Sequence, residues 1–306
     1  MRIAVMAAGA VGGYFGGRLA AAGHDVSFVA RGAHLEALRN NGLKIESPLG
    51  ELHLDKVRAT SDPKEIGPVD VVLFAVKLWD TETAAGLAQP LVGPQTRVIT
   101  LQNGVDSVER IAPILGADHV VGGSAYIATV IASPGVISHT SSFAKMVCGR
   151  VDGKPDAQLA AFTAAAKDAG IDIKQTDTIN RERWEKFAFL VGLSGATGAT
   201  RMPLGQILSD PDTREFFQSL MAEVIALAQA KGVPLGPGFL ESRMTFADGA
   251  PPGMKASLLH DLERGNRIEV DWLAGKAVTL GRELKVPTPA NDAVYAVLKL
   301  RRMGRT

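Results

Sequence analysis

The sequence predicts an α/β fold in which a domain built on a parallel sheet is followed by an all-helical C-terminal domain. Its first 31 residues read as strand, small-residue turn, helix and strand, which is a βαβ unit. Apolar runs typical of buried strands recur until about residue 176, and beyond it helical periodicity takes over. These patterns predict one domain at 1–176 and a second at 177–306.

Length, charge and cysteine content narrow the class of protein. A chain of 306 residues favours two domains, and a net charge of +1 gives no reason to expect nucleic acid or an anionic membrane surface as partner. The single Cys148 allows no intrachain disulfide, no apolar run is long enough to span a membrane, and the N-terminus begins with a strand rather than a signal peptide. We expect a cytoplasmic protein that binds small molecules, with no metal site. A homodimer formed through the C-terminal helices stays open.

The turn after the first strand carries a dinucleotide-binding pattern. Strand Arg2–Met6 is followed by small residues, then by a helix at about 11–22. The turn matches G-x-G-x-x-G except that Ala7 replaces the first glycine, and its free N–H groups suit a pyrophosphate. We predict a Rossmann-type dinucleotide-binding domain whose cofactor turn consists of Ala7, Ala8, Gly9, Ala10, Val11 and Gly12. The alternative is a βαβ turn that binds no phosphate.

The end of the second strand, at 26–30, indicates which dinucleotide. NAD sites usually place a carboxylate there, roughly 20 residues after the glycines, to hold the ribose 2′-OH. This chain has Arg31 instead, and a guanidinium matches a 2′-phosphate in charge and geometry. We therefore predict NADP(H). The alternative for Arg31 is a solvent-exposed arginine without a ligand.

Polar or small residues follow three further strands of the predicted sheet. They are Lys77, Asn103 and the pair Ser124-Ala125. Because ligands of open α/β sheets bind beyond the carboxyl ends of the strands, we predict that these residues, Ala125 included, line the cofactor cleft with the glycine turn. Taken singly, Lys77 is also explained as a solubilising charge and Asn103 as part of a plain turn.

The remaining elements follow from the same periodicities, and Gly, Pro, Asn or Asp bounds most of them. In the first domain we predict helices at 33–40, 81–91 and 156–170, a hairpin or edge strands at 43–45 and 52–54, strands at 70–76, 98–101 and 171–173, and antiparallel strands between 134 and 149. In the second we predict helices at 180–193, 212–231, 257–262, 268–284 and 289–302. This order places a substrate cleft between the domains.

Two charged residues of the helical half stand beside apolar neighbours. Lys186 precedes an apolar stretch, so it either extends to solvent or is desolvated, which would lower its pKa towards the range of a general acid. Glu269 lies between two apolar residues, and a buried carboxylate needs a partner, for which Lys186 is a candidate. The alternative is a solvated Glu269 near Arg267 or Lys276. Ser257 lies out of helical phase with Glu269, so one face could carry both only after a break near Gly265.

Several motifs resemble one family along nearly the whole chain. They are the glycine turn, Phe28-Val29-Ala30-Arg31-Gly32, Ala75-Val76-Lys77, Leu101-Gln102-Asn103-Gly104, Trp184-Glu185-Lys186 and the segment from Ser257 to Glu269. In order and spacing they resemble ketopantoate reductases (2-dehydropantoate 2-reductases). The resemblance implies NADPH-dependent reduction of a 2-keto acid to a 2-hydroxy acid, as in pantothenate biosynthesis.

The resemblance also implies a role for each matching residue. Lys186 would donate a proton to the carbonyl oxygen, and Glu269 would orient Lys186 and contact the cofactor. Asn103 would touch both cofactor and substrate, Ser257 would bind the substrate carboxylate, and Lys77 would lie beside the cofactor.

The chain departs from the family pattern at two places that follow Lys186. Leu190 and Ser194 stand where the family has substrate-binding asparagines, and only Ser194 can still donate a hydrogen bond to the substrate. Losing such a contact redirects specificity, so a relative acting on a more apolar 2-keto acid is an alternative. Two others are a non-catalytic NADP(H)-binding sensor and a hydroxyacyl or opine dehydrogenase, which would need a histidine in the cleft.

Overall fold

The computed structural model describes residues 1–305 and divides the chain after Ile179 into two compact units. The first unit is α/β and the second is helical, as the sequence predicts. No helix among residues 1–305 combines the length and apolarity that crossing a bilayer requires.

All ten strands of the first unit belong to one sheet. They are β1 (Arg2–Met6), β2 (Asp25–Val29), β3 (Leu43–Glu46), β4 (Leu52–Leu54), β5 (Arg58–Thr60), β6 (Val69–Phe74), β7 (Val92–Thr100), β8 (Val120–Ser133), β9 (Val136–Gly149) and β10 (Asp172–Gln175). The order is β4-β3-β9-β8-β7-β6-β1-β2-β5, and β10 also pairs with β9. From β5 to β8 every pairing is parallel, whereas β8 pairs with β9 and β3 with β4 in antiparallel fashion. The predicted hairpin at 43–54 is thus confirmed.

The parallel strands are buried on both faces, which explains why they read as continuous apolar runs. On β1, Ile3 and Val5 belong to one core cluster, and Ala4 and Met6 belong to another. Successive side chains of a strand point to opposite faces, so a core lies on each side of the sheet.

Helices occur in both units of the structure. In the first unit they are α1 (Ala10–Ala21), α2 (Gly32–Asn41), α3 (Thr81–Ala88), α4 (Ser107–Leu115) and α5 (Ala157–Asp168). The others are α6 (Ile179–Thr200), α7 (Leu204–Ser209), α8 (Pro211–Ala230), α9 (Phe239–Asp248), α10 (Ser257–Arg264), α11 (Ala274–Leu284) and α12 (Pro289–Leu298). The sequence did not predict β5, α4, α7 or α9.

Four predicted boundaries differ from those in the structure. The helix predicted at 81–91 gives way after Ala88 to a 3-10 turn, and β7 begins at Val92 rather than at residue 98 because an irregularity in its pairing with β6 accommodates Pro94. The helix predicted at 268–284 is two pieces, a 3-10 turn (Val270–Trp272) and α11, separated by Leu273 with non-helical backbone. The helix predicted at 180–193 continues to Thr200 as α6.

A glycine stripe explains how α6 packs within the helical unit. A Cβ on Gly192 would come within 2.6 Å of Met221 Cγ, and one on Gly195 within 3.0 Å of Leu220 Cδ1. Both partners belong to α8, so residues without side chains let the two helices approach closely. Lys186, by contrast, projects from a different side of α6, because positions 192 and 195 are offset from 186 by about a third and about half of a turn.

Candidate functional site

The strand register brings four chain segments to one edge of the sheet. Met6 of β1 pairs with Val29 of β2 on one side and with Phe74 of β6 on the other, and Phe74 pairs with Thr100 of β7. All four strands run in the same direction, so the segments that follow these residues leave the sheet together. They contain the cofactor turn, Arg31, Lys77 and Asn103.

The turn between β1 and α1 has the geometry that close approach to a phosphate needs. A Cβ on Gly12 would lie 2.3 Å from the Ala7 carbonyl oxygen and 2.8 Å from Val5 Cγ1, so only glycine fits between helix and strand there. A Cβ on Gly9 would meet no atom within 4 Å, which leaves its backbone accessible at the start of α1. These residues fit a pyrophosphate, and Ala7 at the first glycine position is accommodated in the turn.

Arg31 follows β2 and is largely exposed. Its side chain is 76% exposed, and its Nη2 lies 3.4 Å from the Asp80 carboxylate. Exposed ion pairs are worth at most about 1 kcal/mol, so Asp80 would not prevent the guanidinium from binding a phosphate. Asp80 belongs to the segment that follows Lys77, whose Nζ lies 5.6 Å from the centre of the Trp79 ring.

Asn103 is half-buried, and its neighbour Gln102 holds this part of the edge together. Gln102 is 6% exposed and donates through Nε2 to the Val76 carbonyl (3.1 Å) and to Thr81 Oγ1 (2.8 Å). The segments after β6 and β7 are therefore tied together by one buried amide. Gln102 has no role predicted from the sequence, although its position directly after a buried strand is a signal that could have identified it.

The prediction that Ser124-Ala125 follows the end of a strand is wrong. β8 continues to Ser133, and both residues are paired with β9 at Val147 and Met146. What ends before them is the parallel pairing with β7, which stops at Val121. Along its length β8 pairs first with β7 and then with β9. Ser124 and Ala125 lie in the second part and are buried within the sheet.

In the helical unit, Lys186 lies on α6 and Glu269 directly precedes the turn Val270–Trp272. The Lys186 side chain is half-buried as a whole. Burial of its ammonium group nevertheless lowers the pKa to about 8, while the charge of Glu269 acts in the opposite direction. Glu269 is 7% exposed, so the carboxylate is buried rather than solvated. The structure therefore favours the desolvated lysine over one that extends to solvent.

Ser257 is the exposed first residue of α10. The helix ends at Arg264, and Gly265 follows with a φ of 72°, a left-handed conformation that favours glycine. The break that the phase of Ser257 and Glu269 requires is therefore present at the predicted residue.

Leu190 and Ser194 follow Lys186 by one and two turns of α6 and share its side of the helix. Leu190 is half-buried, and Ser194 is 1% exposed. Within residues 1–305, Ser194 Oγ has no hydrogen-bond partner, whereas Thr197 and Thr200 donate to the carbonyls of Leu193 and Ala196. Buried hydroxyl groups without a partner are uncommon, so Ser194 is a candidate to meet a ligand.

Two family models match this chain. The model described as ketopantoate reductase PanE/ApbA matches residues 3–153, and the model of the C-terminal part of that family matches residues 178–302.

Individual relatives agree. The chain is 33% identical to the 2-dehydropantoate 2-reductase of Mesorhizobium japonicum, over 98% of this chain and 97% of the relative. The crystal structure of 2-dehydropantoate 2-reductase from Geobacter metallireducens has a TM-score of 0.92 at 30% identity, covering 98% of this chain and 99% of that one. D-mandelate dehydrogenase in complex with NADH and anilino(oxo)acetate has a TM-score of 0.90 over 99% of this chain and 98% of that one, but at 18% identity it shares only the fold. This chain is an oxidoreductase that belongs to the ketopantoate reductase family.

Proposed function

We propose that this protein reduces a 2-keto acid to a 2-hydroxy acid with NADPH, and that ketopantoate (2-dehydropantoate), reduced to pantoate in pantothenate biosynthesis, is the first candidate substrate. The observation that carries the proposal is the desolvated Lys186, with a pKa of about 8, under the influence of the buried Glu269. Such a lysine is suited to acid–base chemistry. A cytoplasmic location is part of the proposal, in keeping with a single buried cysteine.

Lys186 is the proposed proton donor. When bound, NADPH supplies the hydride that reduces the carbonyl carbon. The Lys186 ammonium donates a proton to the carbonyl oxygen, which develops negative charge as it becomes an alkoxide. A pKa near 8 keeps most of the lysine protonated at neutral pH and makes its proton easier to transfer than that of an ordinary lysine. Glu269 favours the charged form of Lys186, orients it and contacts the cofactor.

The cofactor assignment rests on the N-terminal unit. Backbone N–H groups of residues 7–12 would bind the pyrophosphate, and Arg31 would bind the 2′-phosphate that distinguishes NADPH from NADH. Lys77 and Asn103 complete the proposed cofactor site. Asn103 also contacts the substrate, and Ser257 binds the substrate carboxylate.

A more apolar 2-keto acid is the second candidate substrate, and Leu190 is the observation that favours it. An isobutyl side chain one turn after Lys186 cannot hydrogen-bond a substrate hydroxyl, whereas Ser194 Oγ is buried without a partner and can bind one polar group. Replacing Leu190→Asn should raise kcat/KM for ketopantoate relative to that for an unsubstituted branched 2-keto acid of similar size. An unchanged ratio would remove Leu190 from substrate selection.

The deciding experiment measures NADPH and NADH oxidation with ketopantoate, with 2-keto acids that bear aliphatic or aromatic side chains, and with acyl substrates. We expect turnover with a 2-keto acid and a preference for NADPH. Turnover with acyl substrates alone would overturn the proposed reaction. Tight NADPH binding without oxidation of any carbonyl compound would identify a sensor instead.

A further inference from the structure

His34, near the start of α2, joins the cofactor turn to the β8–β9 hairpin. Its Nε2 lies 2.8 Å from the carbonyl oxygen of Ala8, and the backbone N–H of Gly135 donates to its Nδ1 at 3.1 Å. A ring nitrogen that accepts a hydrogen bond carries no proton, so Nδ1 is unprotonated. Nε2 must then carry the proton in order to donate to the carbonyl. The two partners together specify one neutral tautomer.

Ala8 is consequently held at both of its backbone groups. Its N–H donates to the Val29 carbonyl at 2.8 Å, and its carbonyl accepts from His34. The peptide bond between Ala8 and Gly9 is trans, so the Gly9 N–H points away from the Ala8 carbonyl and hence away from His34. Among residues 1–305 no group accepts a hydrogen bond from this N–H, and a Cβ on Gly9 would meet no atom within 4 Å. His34 thereby directs a backbone donor to an open side of the turn.

We propose that His34 is a positioning residue that orients the Ala8–Gly9 peptide so that the Gly9 N–H binds the pyrophosphate of the nicotinamide nucleotide. The proposal rests on the nucleotide binding proposed above and extends it to a side chain that itself makes no contact with the phosphate.

The surroundings of His34 favour the neutral ring. Burial lowers its pKa, and the hydrogen bond to Ala8 acts in the opposite direction. Residues 6–12 and 133–136, which it joins, have no titratable side chain. The charged residues on α2 and β5 are Glu36, Arg39 and Arg58, and Arg31 directly precedes α2. Protonation would place a hydrogen on Nδ1 opposite the Gly135 N–H and break that bond, whereas Nε2 would still donate to Ala8.

The test compares NADP⁺ binding by the wild type, His34→Gln and His34→Leu, using calorimetry at neutral pH. Leucine leaves the Ala8 carbonyl without its donor, and we expect about tenfold weaker binding at neutral pH. Glutamine keeps a donor within reach of Ala8, so it should recover most of the affinity. The readout is the ratio of the wild-type and variant affinities for NADP⁺ at one fixed pH.

His139→Gln is the matched control. His139 is also buried and bonds Ser47 Oγ, Ser141 Oγ and the Phe143 carbonyl, but it does not bond the cofactor turn. This variant should lose thermal stability and keep the wild-type affinity for NADP⁺. A His34→Leu variant with wild-type affinity, or a His34→Gln variant that recovers none of the affinity lost in His34→Leu, would overturn the positioning role. If only NAD⁺ binds, the proposed preference for NADP(H) is wrong, and the His34 variants are then compared by their affinity for NAD⁺. Binding of neither nucleotide refutes both proposals.

Discussion

The candidate functional groups of the two units differ in chemical type and in exposure to solvent. In the N-terminal unit the turn of residues 7–12 offers backbone groups, and Arg31, a charged residue at the same edge of the sheet, is 76% exposed. In the helical unit the important groups are charged side chains, and Glu269 is only 7% exposed. An exposed group that binds a ligand gives up its contacts with water, so the gain in binding free energy is modest. Desolvated charges interact strongly with each other and with a reacting group. Substitutions in the first unit should therefore weaken binding, and substitutions in the second should mainly affect turnover.

Lys186→Ala should have the largest effect. Loss of the proposed general acid should lower kcat by about a thousandfold, with little change in NADPH affinity, because the lysine acts on the carbonyl and not on the nucleotide. Steady-state kinetics and NADPH titration measure the two quantities. Lys231→Ala, at the exposed end of α8, is the control and should keep wild-type turnover. Unimpaired turnover in Lys186→Ala would remove this residue from the mechanism.

Gly12→Ala tests the backbone side of the comparison. The added methyl group would collide with the Ala7 carbonyl, and a backbone atom cannot move aside cheaply, so we expect a loss of about 1–3 kcal/mol in the free energy of unfolding. Denaturant titration measures it. Gly86→Ala is the matched control on α3, since a Cβ there meets nothing within 4 Å, and it should stabilise the protein by up to about 1 kcal/mol. Equal stability of the two variants would show that the turn has room to adjust.

Arg31→Ala should reduce discrimination between the two nucleotides. Removal of one guanidinium that binds the 2′-phosphate should weaken NADPH binding by about tenfold and leave NADH binding unchanged, because NADH lacks that phosphate. Dissociation constants for both nucleotides, measured at one fixed ionic strength, decide the matter. A parallel loss for NADPH and NADH would mean that Arg31 supports the fold of the site instead of reading the phosphate.

The pH profile should show the smallest effect. A proton donor must be protonated, so kcat should be constant at neutral pH and fall as the pH rises through the Lys186 pKa of about 8. Glu269 raises that pKa, so in Glu269→Gln burial acts unopposed and the alkaline limb should move to lower pH. Profiles of kcat for both proteins are the measurement. A limb that stays in place would show that the Glu269 charge does not act on the titrating group.

Elements with strong local signals were predicted well. The strand–turn–helix–strand unit at the N-terminus, the hairpin at 43–54 and the break at Gly265 each depend on contiguous residues, and the structure contains all three. Elements were missed where the local signal is weak, as for the three-residue β5 and the short α7. The end of the predicted strand before Ser124 was misplaced, because pairing with β9, which is distant in sequence from the start of β8, extends the strand.

The sequence by itself determined the turn of residues 7–12, because tight backbone geometry and a helix start need particular small residues next to one another. It also identified Lys186 and Glu269 as charges with apolar neighbours. Only the tertiary structure decided that Lys186 is desolvated and interacts electrostatically with Glu269. It also decided that Ser194 Oγ has no hydrogen-bond partner among residues 1–305 and that His34 donates to the Ala8 carbonyl. Burial and hydrogen bonding between residues distant in sequence depend on how the chain packs, and no local pattern encodes them.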